Sequence, residues 1–129
     1  MQIVSALYIE DINIRSVDGP STRIDLTGIQ FSAVPPSGYP SVFSPHLVVI
    51  LRNGFTDSPD AALEVTFHRG EEQVARNVQP VQVEPGKFAY RLVRVDLDVD
   101  EPCTIEAHCR LNLEDPIVVP FTLLPVSEG

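Results

Sequence analysis

Four acidic residues stand close together where the chain reads DLDVDEP, namely Asp96, Asp98, Asp100 and Glu101. Carboxylates at alternate positions are typical of EF-hand calcium loops, which also require glycine at loop position 6 and glutamate at position 12. Counted from Asp96, those two positions hold Glu101 and Ala107. The defining features of such a loop are therefore missing, and a weak calcium site formed by the four acids stays open only as an alternative.

The same acids also fit the end of a β-hairpin, because side chains alternate between the two faces of a strand. In that arrangement the acids point to solvent, and Leu97 pairs with Cys103 across a short acidic turn. This register places Arg94 opposite Glu106, which is a favourable cross-strand pair. We therefore predict a solvated hairpin here, with no bound metal and no other cofactor.

The two cysteines, Cys103 and Cys109, lie in a segment with strict apolar–polar alternation. On one strand they share the inward face, but about 20 Å separates them, whereas a disulfide needs Cα atoms within about 7 Å. We predict two buried free thiols. Such thiols are chemically inert and fit a reducing compartment.

Motifs typical of enzymes are missing. The three histidines lie beside loops or at solvent-facing positions, and there is no nucleophile elbow and no Gly-rich phosphate loop. A catalytic triad is defined in space, so residue order alone leaves one open. We expect a protein that is not an enzyme. The competing hypothesis is a binder of a small molecule or carbohydrate, calcium-assisted or weakly hydrolytic, on an acidic sheet face with Asp96, Asp98, Glu106 and His108.

A proline-rich loop at 33–46 reads AVPPSGYPSVFSPH, and its four prolines exclude a paired central strand. Long loops in compact domains often carry binding residues, and prolines reduce the entropy lost on docking. The partner contacts predicted from this loop are Pro35, Pro36, Tyr39 and Phe43. In the alternative interpretation, the loop covers one end of the fold and caps the core with Phe43.

The rest of the chain alternates apolar and polar residues in short segments separated by turns, as β-strands do. We expect a turn at 17–20 and strands at 3–14 with a bend at 10–11, 23–34 with a bulge at Gly28, 47–51, 63–67, 80–83, 87–99 with a bulge at 92–93, 103–113, and 117–124 interrupted by Pro120. About eight strands at this spacing indicate one all-β domain over residues 1–129, an antiparallel two-sheet β-sandwich of the immunoglobulin-like, Greek-key type.

The chain of 129 residues carries 18 acidic and nine basic residues, a formal net charge of −9. A domain of this size can bury an adequate core unaided. The negative field repels phosphate backbones and anionic membranes, so we expect neither nucleic acid nor a membrane as a partner. The N-terminal segment has no basic leader and no apolar run that could cross a bilayer, so we predict a cytoplasmic protein.

A family of small bacterial β-sandwich proteins of uncharacterised function resembles this chain in strand pattern and turn placement. The likeness covers most of the chain and rests on the segments SALYIEDINIRSVDGPSTRIDLTGIQFSAV, HLVVILRN, LEVTFHR and KFAYRLVRVDLDVDEPCTIEAHCRLN, with the proline loop between the first two. This resemblance implies the fold but no catalytic residues.

These observations predict a non-enzymatic protein-interaction or assembly module whose partner is another protein or a second copy of the chain. The contact is expected through the proline–aromatic loop or through an exposed edge strand. Edge strands are present in every sandwich and often form homodimers.

Overall fold

The computed structural model describes residues 1–16 and 22–126. Within those ranges the regular structure consists of β-strands, and no helix long and apolar enough to cross a membrane occurs there. In chain order the strands are β1 (Gln2–Ile9), β2 (Asp11–Ser16), β3 (Thr22–Thr27), β4 (Ser32–Ala33), β5 (Ser41–Phe43), β6 (His46–Arg52), β7 (Asp60–Arg69), β8 (Glu72–Gln82), β9 (Phe88–Arg94), β10 (Leu97–Val99), β11 (Cys103–Leu111) and β12 (Ile117–Leu123). The all-β prediction is confirmed, with more strands than the eight expected.

The described strands form four sheets. The largest has five strands in the order β4-β12-β11-β7-β8, and the next has three in the order β1-β6-β9. Two smaller sheets pair β10 with β5 and β2 with β3. Neighbouring strands are antiparallel, except that β4 runs parallel to β12 over two residue pairs. The predicted turn at 17–20 lies outside the described residues.

One hydrophobic core joins the buried side chains of the two larger sheets. The predicted strand at 47–51 forms the centre of β6, which lies between β1 and β9, and Leu47, Val48 and Val49 are fully buried. The ring of Phe121 on β12 packs edge-on against Tyr8, with centroids 5.2 Å apart, and against Phe43 at 4.7 Å. These contacts connect the five-stranded sheet to β1 and β5.

The predicted hairpin around the acidic stretch is wrong. Leu97 pairs with Phe43 of β5, while Cys103 pairs with Leu123 of β12. Strand β11 lies between β7 and β12, with seven residue pairs on each side. A hairpin with β10 offers only three pairs and leaves β11 at a sheet edge, so the two longer partners are the more stable choice.

The single predicted strand at 87–99 is also wrong, because β9 and β10 belong to different sheets. No bulge at 92–93 is present in β9, whose register against β6 is regular. Ala89 and Val93 pack against the core, whereas Phe88 is 62% exposed on the opposite face. The change in apolar phase that suggested a bulge falls inside β9, because Tyr90 and Leu92 share the face of Phe88 whereas Val93 shares that of Ala89.

Other element boundaries differ from the predictions for local reasons. Gly28 adopts a left-handed φ of 66° just after β3, so the predicted bulge is a break between strands. Asn112, with a φ of 53°, ends β11, so the strand predicted at 103–113 stops earlier and Leu113 is 89% exposed. Pro120 does not interrupt β12, and the predicted segment at 80–83 forms the end of the long strand β8. The proline loop itself contains the short strand β5.

We expect Phe121→Ala to lower the free energy of unfolding by about 3–5 kcal/mol, because it removes a buried ring that contacts two other aromatic rings. Urea unfolding followed by circular dichroism measures this loss. Leu113→Ala is the matched control, since its exposed side chain should change stability by less than about 0.5 kcal/mol. Equal losses for the two variants would contradict the assigned core.

Candidate functional site

The residues predicted as partner contacts in the proline loop are mostly used inside the fold. Pro35 is buried, and Phe43 packs against Phe121. Tyr39 is half-buried and donates its hydroxyl to the main-chain carbonyl of Leu124 at 2.7 Å. Pro36 is exposed. These contacts agree with the alternative interpretation, in which the loop covers one end of the core.

A cavity of about 350 Å³ lies beneath this loop. Phe121, Leu123 and Val99 contribute apolar surface, while His46 and Glu10 contribute polar groups. Pro35, Pro36 and Phe43 also line it. Its volume lies at the lower end of the range typical of small-molecule sites.

The acids at 96–101 do not converge on a common point. Asp96 accepts a hydrogen bond from Ser44 at 2.5 Å, and Asp100 lies 3.9 Å from Arg69. Asp98 and Glu101 are exposed. Among the described residues, no group of three histidine, cysteine or acidic side chains is arranged to hold a metal ion. The weak calcium alternative thus has no ligand set in this part of the chain.

A histidine pair lies on the outer face of the five-stranded sheet. The rings of His68 and His108 are 4.1 Å apart, and Glu106 approaches His108 at 3.7 Å. The ring of His68 is also 2.8 Å from the hydroxyl of Thr66. Burial and the neighbouring His108 lower the pKa of His68. Alternation placed Glu106 and His108 outward, but only the register of β7 against β11 brings the two rings together.

The two strands that carry the histidines offer no free main-chain N–H donors for acyl transfer. Both β7 and β11 are interior strands, so their main-chain N–H groups are directed into the ladders with their neighbours. An oxyanion site requires free donors that point at the developing charge. Asp96 and Asp98, which the small-molecule hypothesis places beside Glu106 and His108, lie before and on β10 in a different sheet.

The cysteines are free and unbridged, as predicted. Cys109 is fully buried, and burial raises its pKa to about 12. Cys103 is only half-buried, at the margin of the core, and burial raises its pKa as well. The prediction of two interior thiols therefore describes Cys109 better than Cys103.

We expect a thiol reagent to modify Cys103 of the folded protein much faster than Cys109, because only Cys103 reaches the surface. Mass spectrometry of proteolytic fragments after timed labelling measures the two rates. In concentrated urea the rates should become equal. Faster modification of Cys109 in the folded protein would contradict the assigned inward face of β11.

A carboxylate clamp crosses three strands of the five-stranded sheet. Glu64 on β7 accepts from Arg110 on β11 at 2.7 Å and from Arg76 on β8 at 2.9 Å. The hydrogen bonds from Arg76 and then Arg110 hold the pKa of Glu64 below its usual value. Because the folded-state pKa is lowered, the clamp stabilises the fold above about pH 4.5 and loses its effect as the pH falls through that lowered pKa.

Glu64→Gln should therefore destabilise the protein most at neutral pH, with the difference from the unmodified chain shrinking as the pH falls below about 4.5. Urea unfolding at a series of pH values measures the difference. Glu71→Gln, at the exposed β7–β8 turn, is the matched control. A Glu64→Gln difference that stays constant with pH would contradict the clamp.

The free edges of two strands are protected against further pairing. Just after β8, Val83 donates its main-chain N–H to the carbonyl of Pro59, in the register that pairs β8 with β7. The main-chain groups of even-numbered residues at this end of β8 therefore point away from β7. Pro80 is one of these residues, and it has no N–H to offer. Beside β9, the main-chain N–H of Asn53 donates to the carbonyl of Lys87, so the main-chain groups of even-numbered residues of β9 point away from β6. The carbonyl of Tyr90 is one of these groups, and the side chain of Arg91 donates to it at 2.8 Å. Proline and arginine thus cover these edges.

A groove of about 430 Å³ separates the edges of β1 and β12. Val119, Tyr8 and Ala6 contribute to its lining, as do the exposed apolar side chains Val4, Phe31, Ile117 and Val118. Phe31 alone is 71% exposed. The sequence does not identify this groove, because it depends on which strands lie at sheet edges.

Comparisons with protein-family profiles, curated proteins and solved structures give no match. The resemblance to a bacterial β-sandwich family accordingly stays a prediction, and the groove must be interpreted from its own geometry.

Proposed function

We propose that this protein is a non-enzymatic interaction module that binds another protein through the groove between β1 and β12. The observation that carries this proposal is the coincidence of two sheet edges with four exposed apolar side chains, Val4, Phe31, Ile117 and Val118. Contiguous exposed apolar surface is typical of interaction sites. Free strand edges add main-chain hydrogen bonds to such contacts.

The edge-strand route is favoured over the loop route because Tyr39 and Phe43 already make internal contacts. Replacing either aromatic residue would remove a structural contact, so the loop serves mainly as a scaffold. The core shared by the two larger sheets supports a two-sheet sandwich of the immunoglobulin-like type as the overall architecture. The unbridged cysteines are compatible with a reducing compartment such as the cytoplasm.

The second candidate function is the binding of a small, mostly apolar molecule in the cavity beneath the proline loop. The cavity combines aromatic surface with His46 and Glu10, and few polar groups in an apolar site suffice to orient a ligand. This function differs from the acidic-face hypothesis, because the acids at 96 and 98 do not line the cavity.

The proposed interaction is tested with a double variant, Phe31→Ser with Val118→Thr, compared with the unmodified chain as bait in native cell lysate. Quantitative mass spectrometry should show at least an approximately tenfold loss of the specific partner, because the apolar anchors of an interface supply most of its affinity. The second substitution keeps a β-branched side chain on β12.

The matched control is Leu113→Ser with Val42→Thr, which also removes two exposed apolar side chains but leaves the groove intact. Both double variants should keep the thermal stability of the unmodified chain. Equal partner recovery by the groove and control variants would refute the groove as the contact surface.

A further inference from the structure

We infer that a second groove, on the outer face of the three-stranded sheet, binds a small single-chain amphiphile with a carboxylate head, such as a medium-chain fatty acid. This groove has a volume of about 580 Å³. It shares no lining residue with the groove between β1 and β12 or with the cavity beneath the proline loop. The inference goes beyond the proposed function and does not depend on it.

Two elements form the apolar walls of this outer-face groove. Ile50 of β6 lies opposite Tyr90 of β9, on the face of the sheet that is turned away from the core. The hairpin of β2 and β3 contributes the cross-strand pair Ile14 and Ile24. The remaining apolar lining comes from β9, namely Phe88, Ala89 and Leu92. Branched aliphatic and aromatic side chains on both walls suit an alkyl chain.

The apolar face is covered at one end and open at the other. Val48 lies opposite the lining residue Leu92 and is fully buried. Toward the other end of the same face, Phe88 is 62% exposed, and Ile14 on the hairpin wall is 56% exposed. Contiguous exposed apolar surface marks binding sites, and the volume of the groove lies within the range of small-molecule sites.

One side of the groove is polar. Arg91 of β9 and Gln79 of β8 meet there, although their strands belong to different sheets. One donor of Arg91 bonds to the carbonyl of Tyr90 at 2.8 Å, which leaves the rest of its guanidinium for a ligand. An arginine fork matches the two oxygens of a carboxylate. Because Arg91 occupies the outward carbonyl of Tyr90, the site favours a small molecule over an added peptide strand.

The charges near the groove favour an anion although the chain carries a net charge of −9. Arg91 is the one charged residue among the described residues that line it. On the same outer face, Arg52 lies opposite Phe88, and Arg94 follows two residues after Leu92. None of these three arginines forms an ion pair with a described acid. Salt screens exposed charges beyond about 8–10 Å, so the nearby arginines outweigh the distant acids.

The test adds sodium dodecanoate, below its micelle concentration, to the intact chain with ¹³C-labelled isoleucine methyl groups. Ile14, Ile24 and Ile50 line the proposed groove. Ile9 lines the cavity beneath the proline loop, and Ile117 lines the groove between β1 and β12. We expect saturable shifts and direct ligand contacts at the first three methyl groups, with those of Ile9 and Ile117 unchanged.

A series of ligands tests the two parts of the amphiphile separately. Decanoate should bind at least about fourfold more weakly than dodecanoate, because two fewer methylene groups leave water. Dodecyltrimethylammonium has the same chain with a cationic head, and it should bind at the groove at least about tenfold more weakly.

Variants of the chain test the polar side and the apolar wall. Arg91→Gln should weaken dodecanoate binding at least about tenfold and remove the preference for the carboxylate, which Arg91→Lys should partly restore. Ile14→Ser, at an exposed position, should weaken both ligands without changing the preference. Arg23→Gln is the matched control, because Arg23 is next to Ile24 on the opposite face of the hairpin. Its affinity should stay within about twofold of that of the unmodified chain.

Shifts at Ile9 or Ile117 instead of Ile50, equal binding of the anionic and cationic ligands, or an affinity independent of chain length would overturn the inference. Concentration-dependent shifts at Ile14 and Ile50 without ligand would identify a second copy as the occupant and overturn it too. Equal shifts at Ile50 with phosphatidylserine vesicles would assign the site to a lipid surface, with the same result. The lysate experiment with Phe31→Ser and Val118→Thr is independent of these outcomes, so failure of the proposed function remains distinguishable.

Discussion

Seven residue pairs on each side bind β11 to β7 and β12, and the positions of the other strands follow from this double pairing. Main-chain N–H and C=O groups buried in a protein must find partners, and an interior strand satisfies both rows at once. The inward side chains of β11, among them Ile105 and Cys109, then contribute to the core, while the outward ones meet β7 in a fixed register. The carboxylate clamp of Glu64 and the histidine pair both result from that register.

The same requirement explains why the acidic stretch is a connection between sheets. Once β7 and β12 occupy both sides of β11, β10 must pair elsewhere, and it pairs with β5 of the proline loop. This pairing brings Phe43 against Phe121, so the loop covers the core. The acids remain on a solvated crossing, where Ser44 and Arg69 contact two of them separately.

Local patterns predicted which residues are buried better than which strands are neighbours. Alternation identified the inward face of β11 because that face depends only on the two-residue period of a strand, and an unbroken apolar run identified β6. Partner choice depends on the total pairing available to each strand, which residues such as Arg94 and Glu106 do not reveal. For the same reason, the sequence pattern does not show that Phe88 lies on the outer face of β9. The groove between β1 and β12 depends on strand order throughout the molecule, so no local signal indicates it.

Pro80 on β8 and Arg91 on β9 interrupt main-chain pairing at two sheet edges. The proline has no N–H to offer and the arginine occupies an outward carbonyl, so a second strand cannot form an uninterrupted ladder along either edge. Such interruptions oppose the open-ended stacking of strands by which chains rich in β-structure form fibres.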